Sequence, residues 1–143
     1  MPLLQDFAEA ARRELMSCSH ALDEANRLRG KLLDVVERPF LVWKLRLVKK
    51  HRAAAKRRID ALHAALHDRA SLGVANADLW SAITRAVDAL ALSRWLNTRE
   101  IAIVDIAPAR ETVHLLLAEM TTLLALLDEL SWPDEAERQP PGN

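Results

Sequence analysis

A run of positive charge between Lys44 and Arg58 is the part of this 143-residue sequence with the clearest chemistry. It contains no acid and eight basic residues: Lys44, Arg46, Lys49, Lys50, Arg52, Lys56, Arg57 and Arg58. At about 100° per helical residue, most of these cations fall away from the apolar seam of their helix, and Lys44 and Arg52 border it. Several cations on one face can follow a phosphate backbone or an acidic protein. We predict that these eight residues bind a polyanion, whereas the neighbouring Trp43 belongs to the core edge.

Histidines at helical spacing raise the question of a metal site. Asp60-Ala-Leu-His63 and Glu111-Thr-Val-His114 have the spacing of the carboxylate–histidine pairs in ferritin-like di-iron bundles. Ligands of that kind must project into the bundle, but Asp60 and Glu111 fall well off the apolar seams of their helices. His63 and His67, four residues apart, form only a two-ligand pair. No physiological metal site is therefore predicted.

Two Arg–His spacings provide a nuclease hypothesis. Arg46-Leu-Val-Lys-Lys-His51 and Arg58-Ile-Asp-Ala-Leu-His63 fit the Arg-x(4–6)-His pattern of HEPN ribonucleases, which are also helical bundles. The resemblance covers six residues at a time, and neither copy has the polar residue that usually follows the arginine in active members. Cys18 lies on an apolar seam and is expected to be a small buried side chain rather than a nucleophile. No catalytic residue and no cofactor is predicted.

The composition favours helices as the elements that carry these residues. Half of the residues are hydrophobic, yet only 4% are aromatic and the chain has three glycines. Alanine and leucine supply most of the apolar side chains, and both favour helix over strand. Few glycines leave little scope for the tight turns of an all-β fold. We predict an all-α protein.

Apolar periodicity and proline positions divide the chain into an antiparallel bundle of about four helices. The predicted helices cover residues 3–37, 39–70, 78–96 and 108–131, and Pro39 separates the first two into a long hairpin. The β-like segment Ile101–Ile106 is expected to be an extended connector or a short helical turn. Residues 1–131 form one domain in this interpretation, and the acidic, proline-rich residues 132–143 form a flexible tail.

The lengths of the predicted helices suggest an assembly. Each arm of the hairpin would measure on the order of 50 Å, which is longer than either of the two remaining helices. An overhanging hairpin would leave apolar residues such as Leu4, Phe7 and Leu66 uncovered. A homo-oligomer or a protein partner would cover them.

Charge distribution and the absence of targeting signals complete the functional interpretation. The net charge is zero, but residues 1–98 carry 17 basic and 11 acidic side chains, whereas residues 99–143 carry 3 and 9. No signal peptide or membrane span is recognised, so a cytoplasmic protein is expected. The leading hypothesis is a non-catalytic interaction or scaffold protein, a small subunit that meets an acidic partner through its basic helix. The alternative is a nucleic-acid-binding subunit, and a HEPN-like ribonuclease comes third.

Overall fold

Four helices make up the fold, as the composition and periodicity predict. The computed structural model describes residues 3–29, 38–68, 77–97 and 105–129. The helices are α1 (Leu3–Arg29), α2 (Arg38–Asp68), α3 (Ala77–Ala91) and α4 (Ile106–Glu129). The predicted helical bundle is confirmed. The end of the first predicted helix, the segment 101–104 and the tail 132–143 lie outside the described residues.

The predicted apolar seams are the buried faces of α1 and α2. Positions at alternating steps of three and four fall on one side of a helix, so a regular apolar pattern marks the side that packs. The buried seam of α1 consists of Leu4, Ala8, Ala11, Leu15, Cys18, Leu22 and Ala25. The buried seam of α2 consists of Leu41, Val48, Arg52, Ala55, Ile59, Leu62 and Leu66.

The helices close into a ring in which α1 packs against α2 and α4, and α3 packs against α2 and α4. The core consists of two clusters. The first lies at the beginning of α1 and the end of α2, and it includes all three buried residues of α3: Ile83, Val87 and Leu90. The second is built by α1, α2 and the first half of α4 without any residue of α3. The short α3 therefore covers only one end of the hairpin.

The prediction that the hairpin overhangs the other helices near Leu4, Phe7 and Leu66 is wrong. Leu4 is 1% exposed and Leu66 is 2% exposed, and Phe7 packs against the same cluster. The end of α4 reaches this region, since the Gln5 amide donates a hydrogen bond to the Asp128 carboxylate. Stagger between the helices, which helix lengths alone do not specify, covers these residues within one chain.

The third helix is shorter than predicted: it ends at Ala91, whereas the predicted helix ended at Leu96. The Asn97 side-chain amide donates to the Ser93 carbonyl at 2.8 Å and closes a turn after the helix. This turn directs Leu96 into the first cluster and places Trp95 against both clusters. The fourth helix begins at Ile106, two residues earlier than predicted.

Pro108 is compatible with this earlier start, because the backbone N–H groups in the first turn of a helix form no hydrogen bonds within the helix.

None of the helices in the described part of the chain is long and apolar enough to cross a membrane.

Candidate binding face along helices 1 and 2

The eight cations of the predicted polyanion site do not share one environment. Five are exposed, namely Arg46, Lys49, Lys50, Arg57 and Arg58. Lys44 and Lys56 are half-buried, and Arg52 is buried. Among the described residues, the five exposed cations form no ion pair or hydrogen bond, whereas Lys56 pairs with Asp60 at 3.0 Å. Five of the predicted residues are thus available to an anionic partner.

Three cations line a groove between α1 and α2, which we call the cationic groove. Its volume is about 540 Å³, and its charged lining consists of Glu14, Lys50, His51, Arg57 and Arg58. Glu14 lies 2.8 Å from the Nδ1 atom of His51, and both side chains are about a quarter exposed. Three cations against the one carboxylate of this lining leave the groove with a positive charge.

A second cavity continues along the same face toward the beginning of α2, and we call it the apolar groove. Its volume is about 320 Å³, and it is lined by Met16, Ser17, His20, Ala21, Lys44, Leu47 and His51. His51 belongs to both grooves, so they meet there. Together they form one face, to which Met16, Ala21 and Leu47 contribute apolar side chains at one end and Lys50, Arg57 and Arg58 contribute cations at the other.

Exposed aromatic side chains extend the apolar groove. Phe40, Trp43 and Leu47 lie at steps of three and four, so they share one face of α2. Phe40 and Trp43 are each 53% exposed, and the Lys44 ammonium lies 4.9 Å from the centre of the Trp43 ring. The expectation that Trp43 belongs to the core edge is wrong, because the seam of α2 faces α1 and leaves this side of the helix outside.

Arg52 must be removed from the predicted polyanion-binding surface. It occupies a seam position of α2, is 3% exposed, and its Nη1 atom has no hydrogen-bond partner among the described residues. Its guanidinium carbon lies 5.7 Å from the centre of the Trp95 ring, and burial lowers the pKa of Arg52. Arg52 therefore packs in the core of the bundle.

Cys18 is buried as predicted, close to Arg52. Its thiol donates a weak hydrogen bond to the Val48 carbonyl at 3.6 Å. Burial raises the pKa of Cys18 to about 12, and the negative charge of Glu14 acts in the same direction, while Arg52 opposes it. A thiol with so little thiolate is a poor nucleophile and a poor metal ligand.

The two Arg–His motifs do not bring an arginine and a histidine together. Residues five apart on a helix point about 140° away from each other. Arg46 is exposed and has no ion-pair or hydrogen-bond partner in the described part of the chain, whereas His51 bonds to Glu14 of α1. Arg58 lies in the cationic groove, whereas His63 bonds to Asp88 of α3. This geometry provides no support for the ribonuclease hypothesis.

The structure also separates the residues of the two di-iron spacings. Asp60, Glu111 and His114 are all exposed. His63 instead lies beside a residue that sequence reasoning missed, Asp88 of α3, with 2.8 Å between Nε2 and Oδ1. No spacing rule could have found this contact, because 25 residues and a change of helix separate the two side chains.

Comparisons with known proteins leave the function open. No protein-family model, no curated protein and no solved structure matches this chain.

Proposed function

We propose that this chain is a non-catalytic binding protein whose α1–α2 face receives an acidic, amphipathic segment of a protein partner. The observation that carries the proposal is the meeting of the cationic groove and the apolar groove at His51. A partner helix with apolar residues at one end and carboxylates at the other matches both grooves at once. Binding of an amphipathic helix in a groove is a common mode of peptide recognition.

The size of the face suits such a segment. From Phe40 to Arg58, α2 extends for about 27 Å, the length of a helix of about 18 residues. Exposed apolar side chains that are bordered by polar ones commonly mark an interaction surface. Trp43 and Phe40 are candidates for the residues that contribute most to affinity, since aromatic side chains dominate binding energy in many interfaces.

Nucleic acid is the second candidate, and it is favoured by the five exposed cations of α2 that have no partner among the described residues. A single strand would place phosphates along Lys50, Arg57 and Arg58 and could stack a base on Trp43. Such a strand would leave Phe40 and Met16, which is 49% exposed, without apolar cover. A protein segment covers them, so we place the protein partner first.

The first prediction concerns the charged end of the face. Replacing Arg57 and Arg58 together with alanine should weaken binding of an 18-residue helical peptide, with leucines in one half and glutamates in the other, by about 10-fold. Two lost charge pairs of ordinary strength account for this effect. Fluorescence anisotropy of the labelled peptide measures it, and wild-type affinity should also fall as salt rises.

The matched control removes the same charge elsewhere. Lys49 lies nine residues before Arg58, on the opposite side of α2, and Arg85 is exposed on α3. Replacing Lys49 and Arg85 with alanine should leave the affinity within about twofold of wild type.

At the apolar end, Trp43→Ala should weaken binding of the peptide. Leu115→Ala, which removes an apolar side chain that is 69% exposed on α4, should not weaken it.

Two outcomes would contradict the proposal. Equal losses in the Arg57/Arg58 and Lys49/Arg85 variants would show that only net charge matters. Binding of a 20-nucleotide single strand with a steep salt dependence, without binding of the peptide, would replace the protein partner with nucleic acid.

A further inference from the structure

Two histidines of α2 and one aspartate of α3 form a cluster away from the proposed binding face. His63 and His67 lie one helical turn apart, and their ring centres are 4.5 Å apart. The Nε2 atom of His63 lies 2.8 Å from the Oδ1 atom of Asp88. One donor atom from each of the three residues falls within 4.8 Å of the other two. Two helices thus supply three potential metal ligands at one place.

The donor set selects a class of ion. Imidazole nitrogens with a carboxylate oxygen suit zinc and its neighbours among the divalent transition metals, and they suit magnesium and calcium poorly. Around a tetrahedral zinc ion with bonds of 2.0–2.1 Å, neighbouring donor atoms are about 3.4 Å apart. The Nε2 atom of His63 and the Oδ1 atom of Asp88 are slightly closer than that, and no separation in the cluster exceeds 4.8 Å, so small side-chain rotations would bring the three atoms to it.

Exposure at the cluster permits such rotations and allows an ion to enter. His67 is exposed, and the side chains of His63 and Asp88 are 35% and 45% exposed. We propose that His63, His67 and Asp88 bind one Zn²⁺ ion, with water as the fourth ligand. The ion would join α2 to α3, the shortest helix of the bundle.

This zinc site is independent of the proposed binding face. His67 lies nine residues after Arg58, which at about 100° per residue places it on the opposite side of α2. Loss of zinc binding should therefore leave peptide binding unchanged, and the two proposals can fail separately.

The test uses the untagged full chain after treatment with a chelator, titrated with zinc chloride in a calorimeter. Wild type should bind one Zn²⁺ per chain. His67→Ala and Asp88→Asn should each lower the zinc affinity at least about 10-fold. Replacing a residue that only hydrogen-bonds to a metal ligand commonly lowers metal affinity by that factor, so loss of a ligand should lower it at least as much. His114→Ala, which removes an exposed histidine of α4, should bind zinc like wild type.

The His67 variant separates the zinc site from the ordinary alternative, a hydrogen bond between His63 and Asp88 alone. His67 has no part in that bond, and alanine at an exposed helical position preserves the fold. At one zinc concentration, Zn²⁺ should raise the Tm of wild type and of His114→Ala clearly more than that of His67→Ala. Absence of one-to-one binding by wild type, or equal zinc affinities of wild type and His67→Ala, would overturn the proposal.

Discussion

Replacing Arg52 with methionine is expected to stabilise the protein by about 1–3 kcal/mol, the usual cost of a buried polar group that lacks a hydrogen bond. The Arg52 residue is only 3% exposed, and no described acid forms an ion pair with it. Removing a charge from water is costly unless a partner compensates for it, and here Nη1 lacks even a hydrogen bond among the described residues. Methionine retains a long flexible stem that can fill the same space without the charge.

Equilibrium unfolding in urea measures this difference in the free energy of unfolding. Arg46→Met is the matched control, because it removes the same charge from an exposed position of the same helix and should change stability by less than about 0.5 kcal/mol. The cation–π contact between Arg52 and Trp95 opposes the expected gain and is worth about 0.5–2 kcal/mol. If Arg52→Met is less stable than wild type, this contact outweighs the cost of burial.

The Cys18 thiol should be unreactive in the folded protein. The thiolate is the reactive form, and burial raises the pKa of Cys18 from an ordinary value of 9.0 to about 12. A shift of this size lowers the thiolate fraction at pH 8 by about 1,000-fold. Alkylation by iodoacetamide, followed by mass spectrometry, should therefore be at least that much slower in the native protein than in urea. Rapid stoichiometric labelling of the native protein would contradict this assignment.

The same pKa shift predicts how stability depends on pH. The pKa of Cys18 is higher in the folded state, so between pH 9 and about 12 the unfolded chain loses its proton first. The contribution of the neutral Cys18 thiol to the free energy of unfolding is complete below pH 9. As the pH rises from 9 toward 12, this contribution is lost, and the free energy of unfolding falls by up to about 1.4 kcal/mol per pH unit. Cys18→Ala provides the control, because it should remove this part of the slope.

Periodicity in the sequence predicted the buried faces of the two long helices, because burial of one face requires apolar residues at steps of three and four. It placed Arg52 at the border of the α2 seam and assigned it to the polyanion-binding residues, whereas the structure buries this side chain in the seam. The covering of Leu4 and Leu66 could not be predicted, since it depends on how far α4 extends along α1. That stagger is set by contacts between helices, which a pattern within one helix does not encode.

In the candidate sites, too, the features set within one helix could be predicted, and the features set by contacts between helices could not. The exposed cations of α2 follow from the angle of each residue around one helix, which the sequence specifies. The grooves require a second helix at a particular distance, so the contribution of Met16 and Glu14 from α1 could not be seen. The third ligand of the proposed zinc site, Asp88, could not be predicted either, because it lies on α3 and the two histidines lie on α2.

The two core clusters have a consequence for local unfolding. Among the described residues, α3 contributes only to the first cluster, and the second cluster is built by three helices and contains fewer buried side chains. Regions with fewer buried contacts open at lower free energy, often as separate cooperative units. Native-state hydrogen exchange should therefore show two levels of amide protection within α2, higher around Leu62 than around Leu41. The end of the bundle that carries Phe40 and Trp43 would then be the end that opens first, where a partner could bind and order it.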